Sequence, residues 1–149
     1  MSLFLSDSQL DRFRRTGVIA VMVVDDPDRA VRLAKALLDG GVDIMELTLR
    51  TAQALDCLSA IVKNVPEMLA GAGTILFPEQ VEQVVKAGAA FGVAPGTNPV
   101  VIRRADQLNL RLLPVSLPDR YRCRCAGGLP IAEVFSCRTP RWPEHAGQY

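Results

Sequence analysis

Five apolar runs punctuate the chain, beginning near Gly17, Val42, Met68, Ala90 and Leu110. They recur every ~20 to 26 residues, the length of one strand plus one helix, and such a period signals repeated architecture. The first run, Val18-Ile19-Ala20-Val21-Met22-Val23-Val24, is continuous and largely β-branched. That pattern predicts a strand buried on both faces, as in a parallel sheet. Further strands are predicted at Ile44 to Leu49, Met68 to Ala72, Phe91 to Ala94 and Leu110 to Pro114.

Between these runs the apolar period changes from 2 to 3.6, which predicts helices. Asp26 followed by Pro27 reads as an N-cap with proline in the first helical position, and Ala30, Leu33, Ala34, Leu37 and Leu38 form one face before Gly40-Gly41. Thr51 is expected to cap a second helix carrying Ala54, Leu55, Leu58, Ile61 and Val62. Pro78 opens a third, with Val81, Val84 and Val85 on one side and Gly88 past its end. Pro99 opens a fourth, with Val100, Val101, Ala105 and Leu108, and Ser6 to Arg15 reads as an extra helix ahead of the first strand. The order αβαβαβαβαβ with short loops implies parallel βαβ units. Periodicity alone leaves two architectures open: part of a closed (β/α)8 barrel, or an open flavodoxin-like sheet with a different strand order.

Length and composition narrow the field. The 149 residues are short for a complete barrel, which takes about 200 or more, so an incomplete barrel of about five units is expected. Hydrophobic residues make up 49% of the chain, enough for a sizeable core. Seventeen basic residues against 16 acidic ones argue against nucleic acid as a partner. No apolar run reaches the ~18 to 20 residues of a membrane span. Met1 to Leu5 lacks a basic leader, so a cytoplasmic protein is expected.

Function in either architecture gathers at the carboxyl ends of the strands. The second strand ends in Glu46-Leu47-Thr48-Leu49-Arg50-Thr51, and alternation puts Glu46, Thr48 and Arg50 on one face. Inside a barrel that pair is either a general base beside an anion clamp or a structural ion pair; spacing does not choose. The third strand ends in Gly71-Ala72-Gly73-Thr74, small residues that admit close approach, followed by a hydroxyl. The fourth ends in Ala94-Pro95-Gly96, which taken alone reads as a turn.

Taken together, Glu-Leu-Thr-Leu-Arg-Thr at 46–51, Gly-Ala-Gly-Thr at 71–74 and Ala-Pro-Gly at 94–96 resemble the 2-keto-3-deoxy-6-phosphogluconate / 4-hydroxy-2-oxoglutarate aldolase family. So do the first strand, the Lys35-Ala36-Leu37 helix and Leu112-Leu113-Pro114, and the likeness covers residues 6–114. The resemblance implies a homotrimeric (β/α)8 (TIM) barrel and a class I aldolase that needs no metal or other cofactor. Its substrate class would be a small-molecule 2-keto acid, cleaved to pyruvate and an aldehyde such as glyceraldehyde 3-phosphate or glyoxylate through a lysine Schiff base. It further implies that Glu46 shuttles protons, that Arg50 and Thr74 bind the keto-acid carboxylate, and that Pro95 lines the pocket floor.

One expected residue is missing. The family carries its Schiff-base lysine on a sixth strand, in a motif like Leu-Lys-Phe-Phe-Pro-Ala-Glu, and this chain has only Lys35, Lys63 and Lys86, all in predicted helices. The composition also breaks at Pro114: residues 115–149 hold three of the four Cys, the only Trp, the only His, both Tyr, five Arg and no Lys. Reading the degenerate codons of Ala132 to Arg138 from their second base permits Leu-Lys-Phe-Phe-Pro-Ala-Glu in full. The chain is therefore expected to comprise barrel sequence at 1–114 and an out-of-frame tail at 115–149, with little or no aldolase activity. Cys123, Cys125, Cys137 and His145 do not follow a recognised zinc spacing, and Arg120, Arg122 and Arg124 lack the aromatic context of a nucleic-acid site. Cys57 is expected to be a small buried hydrophobe. The alternative to an enzyme is a barrel fragment that binds a keto acid, or associates with other chains, without turnover.

Overall fold

The computed structural model describes residues 7–114, which fall in one compact unit. The readings for residues 115–149 lie outside the described residues, including the frame slip, the cysteine–histidine set and the arginine cluster.

Ten elements alternate along the chain: α1 (Asp7–Thr16), β1 (Ala20–Met22), α2 (Pro27–Asp39), β2 (Ile44–Thr48), α3 (Ala54–Asn64), β3 (Leu69–Gly73), α4 (Pro78–Lys86), β4 (Gly92–Ala94), α5 (Pro99–Gln107) and β5 (Leu112–Pro114). All strand pairs are parallel, and the sheet order is β1-β2-β3-β4-β5. Each strand lies beside the one before it. That sequential order is barrel winding, and it rejects the flavodoxin-like alternative, whose strand order doubles back at a switch point. The described residues thus hold five β/α units of a (β/α)8 barrel.

Local chemistry starts the helices where the sequence predicts. The Asp26 carboxylate accepts from the Arg29 N–H at 2.8 Å, with Pro27 opening α2. Asn98 accepts from the Val100 N–H at 3.0 Å ahead of Pro99. Gln80 reaches back from inside α4 to accept from Leu76 and Phe77 N–H groups at 2.7 and 3.0 Å.

Three expectations need correction. Thr51 does not cap α3: its hydroxyl donates to the Val24 carbonyl at 2.9 Å, and the helix begins later, behind Gln53, with no side-chain cap bond. Val100 is 48% exposed, because the α5 stripe that meets the sheet is Val101 and Ala105. The first strand is shorter than the run of valines, and Val18, Val21 and Val23 are each more than half exposed. Among the described strands only β2 pairs with β1, so β1 is the sheet's edge and lacks the second neighbour that would bury it.

The two faces of the sheet carry different residues. Met45, Leu47, Ala70 and Ala72 point to the helices and join Ala34, Leu58, Ile61, Val81, Val84, Val101 and Ala105 in the main apolar cluster. The opposite face carries Ile44, Glu46 and Thr48 from β2 and Gly71 and Gly73 from β3. Phe91, fully buried, spreads its ring over Gly71, where an added Cβ would come within 2.4 Å of it. Phe13 of α1 meets Phe91 edge-on, with ring centroids 5.4 Å apart.

Helix α1 is fastened across the amino-terminal ends of the strands. Arg12 donates to the Asp43 carboxylate at 2.7 Å, to the Asp43 carbonyl at 3.2 Å and to the Glu67 carbonyl. Thr16 and Arg15 add bonds to the same carboxylate, and Gln9 donates to the Ala90 carbonyl at 3.1 Å. These partners precede β2, β3 and β4 in turn, so one short helix ties three βα units together. Among the described residues, no helix is long and apolar enough to cross a membrane.

Candidate active site

The carboxyl end of β2 supplies the one buried carboxylate among the described residues. Glu46 is 5% exposed. No described side chain hydrogen-bonds it and Arg50 stays beyond salt-bridge distance, yet no buried side-chain oxygen is left without a partner, so the carboxylate oxygens keep contact with solvent. The two charges interact through space without a close salt bridge. Burial pushes the Glu46 carboxyl above its ordinary value, and the positive charge of Arg50 offsets only part of that rise.

Arg50 follows β2 in a tight turn in which its N–H donates to the Thr48 carbonyl at 2.8 Å, and its side chain is exposed. Thr48 itself is buried and its hydroxyl donates to the Met22 carbonyl at 3.3 Å. The loop carrying Arg50 is pinned to the end of β1 at the Val24 carbonyl, which accepts from Thr51 and, at 3.7 Å, from the Cys57 thiol. Cys57 is fully buried, and burial followed by the charges of Asp26, Asp25 and Asp56 pushes its thiol up. It is the inert hydrophobe expected.

Thr74 follows β3 with φ 64°, in the left-handed region. A β-branched residue there is strained by roughly 1–3 kcal/mol, and such strain collects at ligand sites. Its side chain is half-buried, whereas Pro95, at the end of β4, is exposed. No hydrogen bond joins Arg50, Thr74 or Pro95 to Glu46; what the four share is the carboxyl-terminal rim of three consecutive strands.

A cavity of about 300 Å³ opens at the other end of the sheet, lined by Arg12, Val62, Pro66, Met68, Leu69 and Ala70 among others. It lies at the base, where Arg12 is already committed to Asp43 and Glu67, and holds none of the rim residues. Lys35, Lys63 and Lys86 are all exposed on helices α2, α3 and α4. Sequence reasoning missed the α1 clamp, although Arg12, Arg15 and Thr16 sit at helical spacing on one face and were its signal.

Comparison with known proteins supplies the rest. The profile described as "Aldolase: KDPG and KHG aldolase" matches residues 10–130. The chain belongs to the KDPG and KHG aldolase family. It is 44% identical over 97 residues to the KHG/KDPG aldolase of Escherichia coli (strain K12), a stretch covering 65% of this chain and 46% of that protein. A crystal structure of the 2-keto-3-deoxy-6-phosphogluconate aldolase of Zymomonas mobilis ZM4 with 3-phosphoglycerate superposes with a TM-score of 0.65 at 36% identity, covering 70% of this chain and 49% of that one. The KDPG aldolase of Legionella pneumophila, with pyruvate captured as a covalent carbinolamine intermediate, also gives a TM-score of 0.65 at 36% identity, over 69% of this chain and 50% of that one. The chain therefore spans about half the length of the aldolases it matches, and its parallel sheet matches part of their barrel.

Proposed function

We propose that these residues form the carboxylate-handling half of a class I aldolase site and bind a 2-keto acid such as pyruvate. The observation that supports this reading is Glu46: a carboxylate on β2 only 5% exposed, raised in pKa by burial and facing the charge of Arg50. Arg50 is the clamp for the keto-acid carboxylate, which suits a planar, bidentate cation. Thr74 adds a hydroxyl beside it from its strained position, and Pro95 lines the floor. Glu46 relays protons through water between the substrate hydroxyl and the carbinolamine. The raised pKa suits that task, because it makes the carboxylate a stronger base for taking the proton.

The bond-breaking step needs an amine. A lysine condenses with the substrate ketone, loses water, and leaves a protonated imine that accepts the electron pair of the cleaving carbon–carbon bond. Lys35, Lys63 and Lys86 stand exposed on helices, away from the strand ends. The chain as written therefore binds without turning over, and a frame slip after Pro114 is our account of the lost lysine. In the full-length relatives' setting the assembly would be a cytoplasmic homotrimer.

Titration of the purified chain with pyruvate, followed by NMR, tests the binding claim. Saturable shifts that weaken at least tenfold in Arg50→Ala support it, since a charge-assisted bidentate pair is worth roughly 1.5–3 kcal/mol. Absence of saturation, or equal binding by Arg50→Ala, contradicts it.

A further inference from the structure

We propose that Gly73 is a positioning residue for Glu46: its missing side chain forms the notch in which the carboxylate rests. The inference rests on the reading of Glu46 as the proton-transfer group and deepens it.

A Cβ added at Gly73 would lie 1.7 Å from the Glu46 Oε1, 2.5 Å from its Cδ and 2.8 Å from its Cγ. The three nearest atoms all belong to this one side chain. The carboxylate of β2 thus lies flat against the backbone of β3, one step along from its register partner Gly71. Nothing else about position 73 calls for glycine. Its φ lies outside the left-handed region. It sits inside a strand, where glycine weakens the element relative to residues with side chains. Only the neighbouring carboxylate explains it.

The consequence is chemical. With Gly73 in place, Glu46 is 5% exposed and its carboxyl is raised by burial. A methyl group there evicts the carboxylate, and because the obstructed atoms are the far end of a flexible side chain, eviction is easier than unfolding. Gly71 offers the contrasting case on the same strand: its Cβ would strike the fully buried Phe91 ring at 2.4 Å, which has nowhere to go.

The test is the titration of Glu46, read by carbon NMR of the labelled carboxyl in the full chain, alongside thermal melting. Gly73→Ala is expected to keep the fold and to shift the Glu46 midpoint down towards its ordinary value of 4.5. Gly71→Ala is expected to lower the melting temperature and leave that midpoint in place. An unshifted midpoint in Gly73→Ala overturns the proposal. Should Gly73→Ala fail to fold, the Gly73→Ala/Glu46→Ala double variant decides: recovery of the fold supports the notch, and persistent unfolding overturns it. The pyruvate titration of the unaltered chain is separate. Its failure would remove the keto-acid reading while leaving the geometry of the notch standing or falling on the NMR midpoint.

Discussion

Glu46 concentrates the argument at the scale of one residue. Its folded-state pKa is raised, so its contribution to stability is fully present below the unfolded value of 4.5 and is lost as pH rises through the folded value. Above that folded value the ionised carboxylate is a burden on the fold. Glu46→Gln is expected to melt higher than the unaltered chain at pH 7, by an amount that shrinks as pH falls through the folded value and is gone below 4.5; thermal melts across pH read this directly. A variant that melts lower at pH 7 would mean that the carboxylate has a partner after all. The sequence showed the alternation of Glu46, Thr48 and Arg50, but alternation says which face a side chain takes, not whether it is paired. It also marked Gly71 to Thr74 as small, without showing that one glycine accommodates a ring and the other a carboxylate.

The βα unit and the helix are the next scale. Helix starts were legible because caps are local: Asp26-Pro27 and Asn98-Pro99 carry their geometry in adjacent residues. Thr51 misled because its hydroxyl is recruited by the Val24 carbonyl, a neighbour distant in sequence. The clamp of α1 is tertiary in the same way. Asp43 gathers Arg12, Arg15 and Thr16 in front of β2. Partial burial pushes its carboxyl up, but hydrogen bonds from Thr16 and Arg12, the charge of Arg12 and the bond from Arg15 outweigh burial and hold it below its ordinary value. A lowered pKa gives stability that is present above the unfolded value of 3.8 and lost as pH falls through the folded one. Asp43→Asn is therefore expected to cost about 2 kcal/mol near neutrality in urea unfolding. The difference from the unaltered chain should close below pH 3.8. Equal stability at pH 7 would show that the Asp43 carboxylate adds nothing to the carbonyl bonds of Arg12 and Gln9 and the aromatic contact.

At the scale of the molecule, five alternating units were legible from the period of the apolar runs, whereas the choice between barrel and open sheet was not. Each βα unit looks alike in either architecture, and only the sequential strand order decides. The valine-rich first run was read as doubly buried because a run of apolar residues does not say how many neighbours its strand will have. The described barrel units carry the rim residues Glu46, Arg50, Thr74 and Pro95 and no lysine at a strand end. Nucleotide sequencing from the Leu110 codon onward tests the proposed frame slip. A shifted frame encoding the lysine motif is expected, and an unambiguous sequence without it would end the frame-slip account.

The most direct measurement of the central claim is borohydride reduction of the purified chain in the presence of pyruvate, read by intact mass and peptide mapping. A site that binds keto acid but lacks its amine should give no trapped adduct above the background of exposed lysines. A stoichiometric adduct on Lys35, Lys63 or Lys86 would contradict the claim and place the nucleophile on a helix.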